Sequence, residues 1–135
     1  MNRRYFIKLG TAGALISVAD LTSCATPDNE KTDADIVVAG GTPAGIMAAI
    51  GAARAGSKVV LIEYHRHIGG LSTSGLGKSD IENKNAIAGL FREFTQNILR
   101  YYTEKYGAGS ENVTKCREGY YYEPSVAEHV FNAMV

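Results

Sequence analysis

The sequence predicts an α/β fold that begins with a βαβ unit. Three observations support this prediction: an apolar, β-branched run at 35–40, a helix-forming segment at 44–56 and a second apolar run at 57–63. Short apolar runs of this kind are typical of strands buried in a parallel sheet. Because a helix connects the two runs, we expect parallel strands joined by a right-handed crossover.

The helical segment at 44–56 has the pattern of a helix that packs closely on a sheet. Ile46, Ile50 and Ala53 share one face at helical spacing, and most of the other positions carry small residues. Gly56 stands where a C-terminal helix glycine is expected. The sequence therefore predicts the end of this helix as well as its buried face.

The turn between strand and helix, VVAGGTPAG at 37–45, has the pattern of a phosphate-binding loop. Gly40 permits the tight turn, and Gly45 lets the helix approach the sheet. The middle position is usually glycine and is Thr42 here, whose hydroxyl can donate to a phosphate oxygen. Free N–H groups and the positive dipole end of the helix complete an anion site. The candidate residues are Gly40, Gly41, Thr42, Pro43, Ala44 and Gly45.

An acidic residue lies at the end of the predicted βαβ unit. Glu63 lies 23 residues after Gly40, at the carboxyl end of the second predicted strand. A carboxylate at that place can accept both ribose hydroxyls of an adenosine, and it would repel a 2′-phosphate. The pattern therefore predicts a Rossmann-like unit that binds FAD or NAD rather than NADP.

A second glycine pair distinguishes these two cofactors. A plain NAD domain would continue from its acid into another helix, whereas this chain runs into Gly69-Gly70 and a small, polar segment. Two adjacent glycines allow a second backbone approach to a pyrophosphate, which favours FAD. Arg66, between the acid and the glycine pair, can either approach the pyrophosphate or face solvent.

Four segments together resemble the bacterial family of FAD-dependent oxidoreductases, whose FAD-binding fold is like that of glutathione reductase. They are GGTPAGIMAAIGAARAG, IEYHRHIGGLSTSGLG, FREF and YYEPSVAEHVFNAM. The resemblance covers 35–135, and a Gly-Gly-Thr-Pro loop is common in that family. It implies that the FAD contacts lie at Gly40, Thr42, Pro43, Ala44, Glu63, Gly70, Leu71 and Ser72. It implies nothing about the substrate or the catalytic residues.

The N-terminus predicts export. Arg3 and Arg4 precede a weakly apolar run, in an order that resembles a twin-arginine signal. Leu-Thr-Ser before Cys24 resembles a lipobox, where a lipoprotein is cleaved and its cysteine lipidated. The alternative is an ordinary signal peptide with a chance cysteine. We therefore expect a signal at 1–23, recognised by the export machinery, and a membrane-anchored protein in the periplasm or cell envelope.

The remaining charge and cysteine content narrows the class of protein. The predicted signal contains Arg3, Arg4, Lys8 and Asp20, so 11 basic and 13 acidic residues remain, a formal net charge of −2. The sequence contains no basic patch, so a nucleic-acid partner is not expected. Cys116 is then the single remaining thiol, which excludes a disulfide framework, and we expect it in a loop. A flexible tether is expected at 24–34.

Two other site motifs are disfavoured. The segment GLGKS at 75–79 ends like an ATP-binding P-loop, but Ser72 stands where that motif needs its first glycine. His65 and His67 are separated by Arg66 and have no cysteine nearby, so we expect a polar turn rather than a metal site.

The rest of the chain is predicted to be scaffold. A helix is expected from Asn85 to Tyr106, a loop at 107–119, an extended segment at 119–124 and a helix from Pro124 to Val135. Two parallel strands do not complete such a sheet. We therefore expect 35–135 to be the N-terminal part of a longer FAD-binding domain, inactive alone.

The function expected from the sequence is that of an exported, lipid-anchored FAD-dependent oxidoreductase acting on a small organic substrate. One alternative is an NAD-dependent dehydrogenase on the same βαβ unit. The other alternative is a non-catalytic surface lipoprotein that has kept the fold but lost the redox activity.

Overall fold

The structure, a computed structural model, describes residues 33–135 of the chain. The predicted export signal at 1–23, the lipidation site at Cys24 and nearly all of the predicted tether at 24–34 lie outside the described residues.

The βαβ unit is present as predicted. Strand β1 covers Ile36–Ala39, helix α1 covers Pro43–Arg54 and strand β2 covers Val59–Ile62. The two strands are parallel, with Val37 paired to Val60 and Ala39 to Ile62. The architecture is thus mixed α/β with a two-stranded parallel sheet, followed by three more α-helices.

Helix α1 is defined at both ends by the residues that its sequence indicated. The Thr42 side chain caps the N-terminus by accepting from the Gly45 amide, and Pro43 occupies the first turn, where its missing N–H costs nothing. Gly56 follows the C-terminus with φ +94°, a conformation that glycine adopts without strain. Ile46 and Ile50 are buried as predicted, but Ala53 is exposed, so that part of the predicted face is wrong.

Within residues 33–135, one face of the sheet is covered and the other is not. Leu61 is half-buried and packs against the core that includes α1, whereas the alternate residues of the strands point outward. The exposed fractions are 55% for Val37, 44% for Val60 and 53% for Ile62. The second face of the sheet is therefore uncovered in the part of the chain that the structure describes.

Three helices follow the sheet, with bounds that partly correct the prediction. Helix α2 covers Gly89–Tyr106, α3 covers Glu111–Lys115 and α4 covers Pro124–Met134. The chain forms a separate 3₁₀ turn at Lys84–Ala86 and is extended through Ile87 and Ala88. For this reason α2 begins later than Asn85.

The expected loop at 107–119 contains helical structure. Ser110 caps α3 by accepting from the Val113 amide, and a 3₁₀ turn covers Arg117–Gly119. Cys116 is buried, and its thiol donates to the carbonyl oxygen of Val113 at 3.1 Å. The prediction of a thiol in a loop is therefore wrong, because this cysteine ends a helix and packs in the core.

The core lies between α1, α2 and α4. Phe94 of α2 stacks on Phe131 of α4 with ring centroids 4.4 Å apart, and Tyr122 meets Phe94 edge-on. Tyr120 is also buried beside α2. Tyr120 and Tyr122 therefore pack as scaffold. The prediction of an extended segment at 119–124 is wrong at Gly119, which ends a 3₁₀ turn, and at Tyr120, which has helical dihedral angles. Within residues 33–135, no helix combines the length and apolar character needed to cross a bilayer.

Candidate functional site

The first glycine loop turns tightly from β1 into α1. Gly40 has φ +103°, and its amide donates to the carbonyl oxygen of Ile62 at 2.7 Å. Gly45 lies so close to this turn that a Cβ there would be 2.0 Å from the carbonyl oxygen of Gly40. Both glycines are therefore required by the backbone path itself.

The entry to α1 leaves amides free. The Oγ1 of Thr42 accepts from the Gly45 amide at 3.2 Å, so its O–H proton is still able to donate elsewhere. Among the described residues, the amides of Thr42 and Ala44 have no hydrogen-bond acceptor. Both residues are exposed and lie at the positive end of the helix.

Glu63 connects the end of β2 to this loop. One carboxylate oxygen accepts from the Gly41 amide at 2.5 Å, and the other accepts from the His65 amide at 2.8 Å. These two hydrogen bonds, to His65 first and then to Gly41, lower the pKa of Glu63 below its usual value. A Cβ at Gly41 would lie 2.9 Å from the carboxylate, so the acid and the loop fit each other closely.

The second glycine loop lies directly against the first. The Gly69 amide donates to the carbonyl oxygen of Gly41 at 2.6 Å. A Cβ at Gly70 would lie 3.4 Å from the Cδ of Pro43, in ordinary contact. The two motifs, which are 24 residues or more apart in sequence, therefore form one surface.

The second loop also presents free amides. Gly70–Ser72 is a 3₁₀ turn, and the Ser72 amide donates to the carbonyl oxygen of Gly69. The amides of Gly70 and Leu71 have no acceptor within residues 33–135. The side chain of Leu71 is 74% exposed, whereas Ser72 is half-buried.

Thr73 and Phe131, which were not predicted as site residues from the sequence, contact this loop. The Thr73 hydroxyl donates to the carbonyl oxygen of Ile68 at 2.7 Å, and the carbonyl oxygen of Gly70 lies 3.1 Å away. Phe131 contacts the same place, because a Cβ at Gly69 would meet its ring at 2.8 Å as well as the methyl group of Thr73. A threonine three residues after a glycine turn is a recognisable signal for such a bond. The long-range contact with Phe131 left no signal in the sequence.

The turn after Glu63 separates the two histidines. His67 contacts Glu128 of α4 at 2.7 Å, whereas the His65 ring lies edge-on to Tyr64. Arg66 is exposed and makes none of the ion pairs found in residues 33–135. No group of three or more potential metal ligands occurs in this part of the chain.

The segment GLGKS is paired with the residues that precede α4, where the Tyr122 amide donates to the carbonyl oxygen of Gly77 at 2.9 Å. Its residue Lys78 forms an antiparallel bridge with Tyr121, and the Ser79 amide donates to the carbonyl oxygen of Tyr120. The Lys78 ammonium pairs with Asp80 at 2.8 Å. This segment is therefore paired backbone and not a phosphate loop.

A comparison with protein families identifies the group to which the chain belongs. The family described as FAD dependent oxidoreductase matches residues 35–135. The chain belongs to this family. The match covers both glycine loops and all three helices that follow them, and it supports a flavin-linked redox function. Searches of curated proteins and of solved structures gave no match.

Proposed function

We propose that this chain holds FAD along its two glycine loops and uses it to oxidise or reduce a small organic substrate. The observation that carries the proposal is the junction of the two loops through the bond from the Gly69 amide to Gly41. This junction places two sets of free amides on one surface, next to the carboxylate of Glu63.

The diphosphate would bind at these amides. Thr42 and Ala44 offer donors at the start of α1, and Gly70 and Leu71 offer donors from the 3₁₀ turn. Backbone amides at a helix N-terminus bind phosphate without a basic side chain, because the helix dipole adds to the hydrogen bonds. The Thr42 hydroxyl would donate one more hydrogen bond, since its oxygen is already oriented by the Gly45 amide.

Glu63 would bind the ribose of the adenosine half. A carboxylate has about four lone-pair directions, and the amides of Gly41 and His65 occupy two of them. The others remain available to ribose hydroxyls. Because the pKa of Glu63 is lowered, the group is ionised at neutral pH, which strengthens these hydrogen bonds and opposes a 2′-phosphate.

The second loop favours FAD over NAD. It supplies amides beyond those of the βαβ unit, and it belongs to the segment matched by the family. FAD, when bound, supplies the hydride or electron chemistry, and the protein supplies binding, orientation and electrostatics. We assign no side chain of this chain as a general acid or base.

The binding proposal is tested by titrating the full chain with FAD, FMN and NADH, the fluorescent reduced form of NAD, and following flavin or nicotinamide fluorescence. We expect FAD to bind more tightly than FMN, because FMN lacks the AMP half of FAD and therefore lacks the diphosphate and the ribose of adenosine that the two loops and Glu63 would hold. Binding of NAD with no binding of FAD would favour the dehydrogenase alternative. Bound FAD that no organic reductant or oxidant converts would favour a protein without redox chemistry.

We also propose that the protein is exported and anchored in a membrane through a lipid on Cys24. The support is the order of twin arginines, apolar run and Leu-Thr-Ser-Cys in the sequence. Cell fractionation combined with labelled fatty acid tests it, with Cys24→Ala as the variant. We expect label in the membrane fraction for the natural protein and none for the variant. Label on neither protein would contradict the lipid anchor.

A further inference from the structure

Thr73 fixes two peptide groups of the second glycine loop. Its hydroxyl contacts the carbonyl oxygens of Ile68 and Gly70, at 2.7 and 3.1 Å. Each of these carbonyls belongs to a peptide plane whose N–H points the opposite way, because the peptide bond is planar and trans. The partner N–H groups are those of Gly69 and Leu71.

These two N–H groups differ in their hydrogen bonding. The Gly69 amide donates to Gly41 and joins the loops, whereas the Leu71 amide is one of the free donors. The Thr73 hydroxyl holds both carbonyls, and the Thr73 amide also donates to the carbonyl oxygen of Gly70 at 3.2 Å. In this arrangement one of the two N–H groups is directed toward the first loop and the other away from Thr73. The loop cannot retreat from this position, because Gly69 already lies against Phe131, which is fully buried.

We propose that Thr73 is a positioning residue for the diphosphate of the bound dinucleotide. It makes no contact with the ligand itself and acts by orienting the Leu71 and Gly69 amides. The inference rests on the proposed function, because it assumes that the second loop binds the diphosphate. It adds a specific role for a hydroxyl group outside the glycine motifs.

The test compares FAD affinity among variants of the full chain by fluorescence titration. Thr73→Val keeps the shape and removes the hydroxyl, whereas Thr73→Ser keeps the hydroxyl. Thr103→Val is the matched control, because the Thr103 hydroxyl donates to the carbonyl oxygen of Leu99 at 2.8 Å, on α2 and away from the loops. We expect about a tenfold loss of FAD affinity in Thr73→Val. Thr73→Ser and Thr103→Val should bind within about twofold of the natural protein on the same scale.

A merely structural role would give a different result. Thr73→Val would then unfold at a lower temperature but bind FAD normally, and that outcome overturns the proposal. An equal loss of affinity in Thr73→Ser also overturns it, because the methyl group and not the hydroxyl would then matter. A natural protein that binds no FAD would instead refute the proposed function.

A second measurement applies if Thr73→Val does not fold. Hydrogen exchange of the natural protein, read on peptides that cover 69–73, reports the Leu71 amide directly. We expect this segment to become protected when FAD is added. Unchanged exchange in a protein that binds FAD would overturn the proposal.

Discussion

The α-carbon of Gly45 lies against the carbonyl oxygen of Gly40 so closely that a Cβ would come within 2.0 Å of it. The strand and the helix of the βαβ unit therefore meet through backbone atoms alone. Neither partner can yield without moving the loop, since both are main chain. Because this contact fixes the path of the first loop, it also fixes the positions of the free amides at the start of α1.

Gly45→Ala is expected to destabilise the protein by about 3 kcal/mol, because the added methyl group overpacks a backbone contact. FAD binding should fall with it, since the loop must shift. Gly51→Ala is the control on the same helix, where the nearest atom to a Cβ is Leu90 Cδ1 at 3.9 Å. There we expect a gain of about 0.5–1 kcal/mol from helix propensity. Chemical denaturation and FAD titration check both variants, and equal behaviour of the two would contradict the argument.

Glu63→Gln should weaken FAD binding by roughly 10- to 100-fold, because hydrogen bonds to a charged acceptor are lost. The side chain keeps its size, so the effect reports on charge and acceptor capacity. Glu111→Gln is the control, since Glu111 is exposed and pairs with Lys115 on α3. Fluorescence titration of FAD measures both. An unchanged affinity for Glu63→Gln would remove the proposed role at the ribose.

The lowered pKa of Glu63 predicts how stability responds to acid. The ionised carboxylate stabilises the folded state above the ordinary glutamate pKa of about 4.3, and this contribution is lost as the pH falls through the lower pKa of the folded protein. The free-energy difference between the natural protein and Glu63→Gln should thus be constant near neutral pH and shrink below about pH 4. Denaturation curves at several pH values measure it. A difference that grows in acid would contradict the assignment.

Tyr102→Phe tests the core independently of the site. The Tyr102 hydroxyl donates to the Glu123 carboxylate and accepts from the Glu123 amide, and burial together with this carboxylate raises the pKa of Tyr102. Removing the hydroxyl leaves that amide unpaired, so we expect a loss of about 1–3 kcal/mol. Tyr64→Phe, at a side chain that is 93% exposed, should cost less than about 0.5 kcal/mol. Thermal or chemical unfolding distinguishes the two variants, and equal losses would argue against a stabilising role for the hydrogen bonds between Tyr102 and Glu123.

Local patterns predicted the elements near the site well, because their causes are local. Gly40, Pro43 and Gly56 each mark a turn or a helix end through backbone restrictions that can be read from the residue itself. The strands β1 and β2 were predicted from apolar runs, and their parallel pairing followed from the helix between them.

Features that depend on distant contacts were predicted poorly. Helix α3 has only five residues, too few to show periodicity, although its cap at Ser110 was readable. Cys116 was predicted to lie in a loop because its burial depends on the core cluster that forms only in the folded chain. The glycines of the second loop predict a cofactor contact, but its packing against Phe131 of α4 depends on tertiary structure alone.

The double engagement of Glu63 has a consequence for protein engineering. Replacing Glu63 with arginine is an obvious way to change the preference of a βαβ unit among adenine dinucleotides. Here the same carboxylate also accepts hydrogen bonds from the amides of Gly41 and His65. Replacing it with arginine would therefore destabilise the loop, whether or not the new side chain binds another ligand. A successful redesign would have to supply another acceptor for the Gly41 amide at the same time.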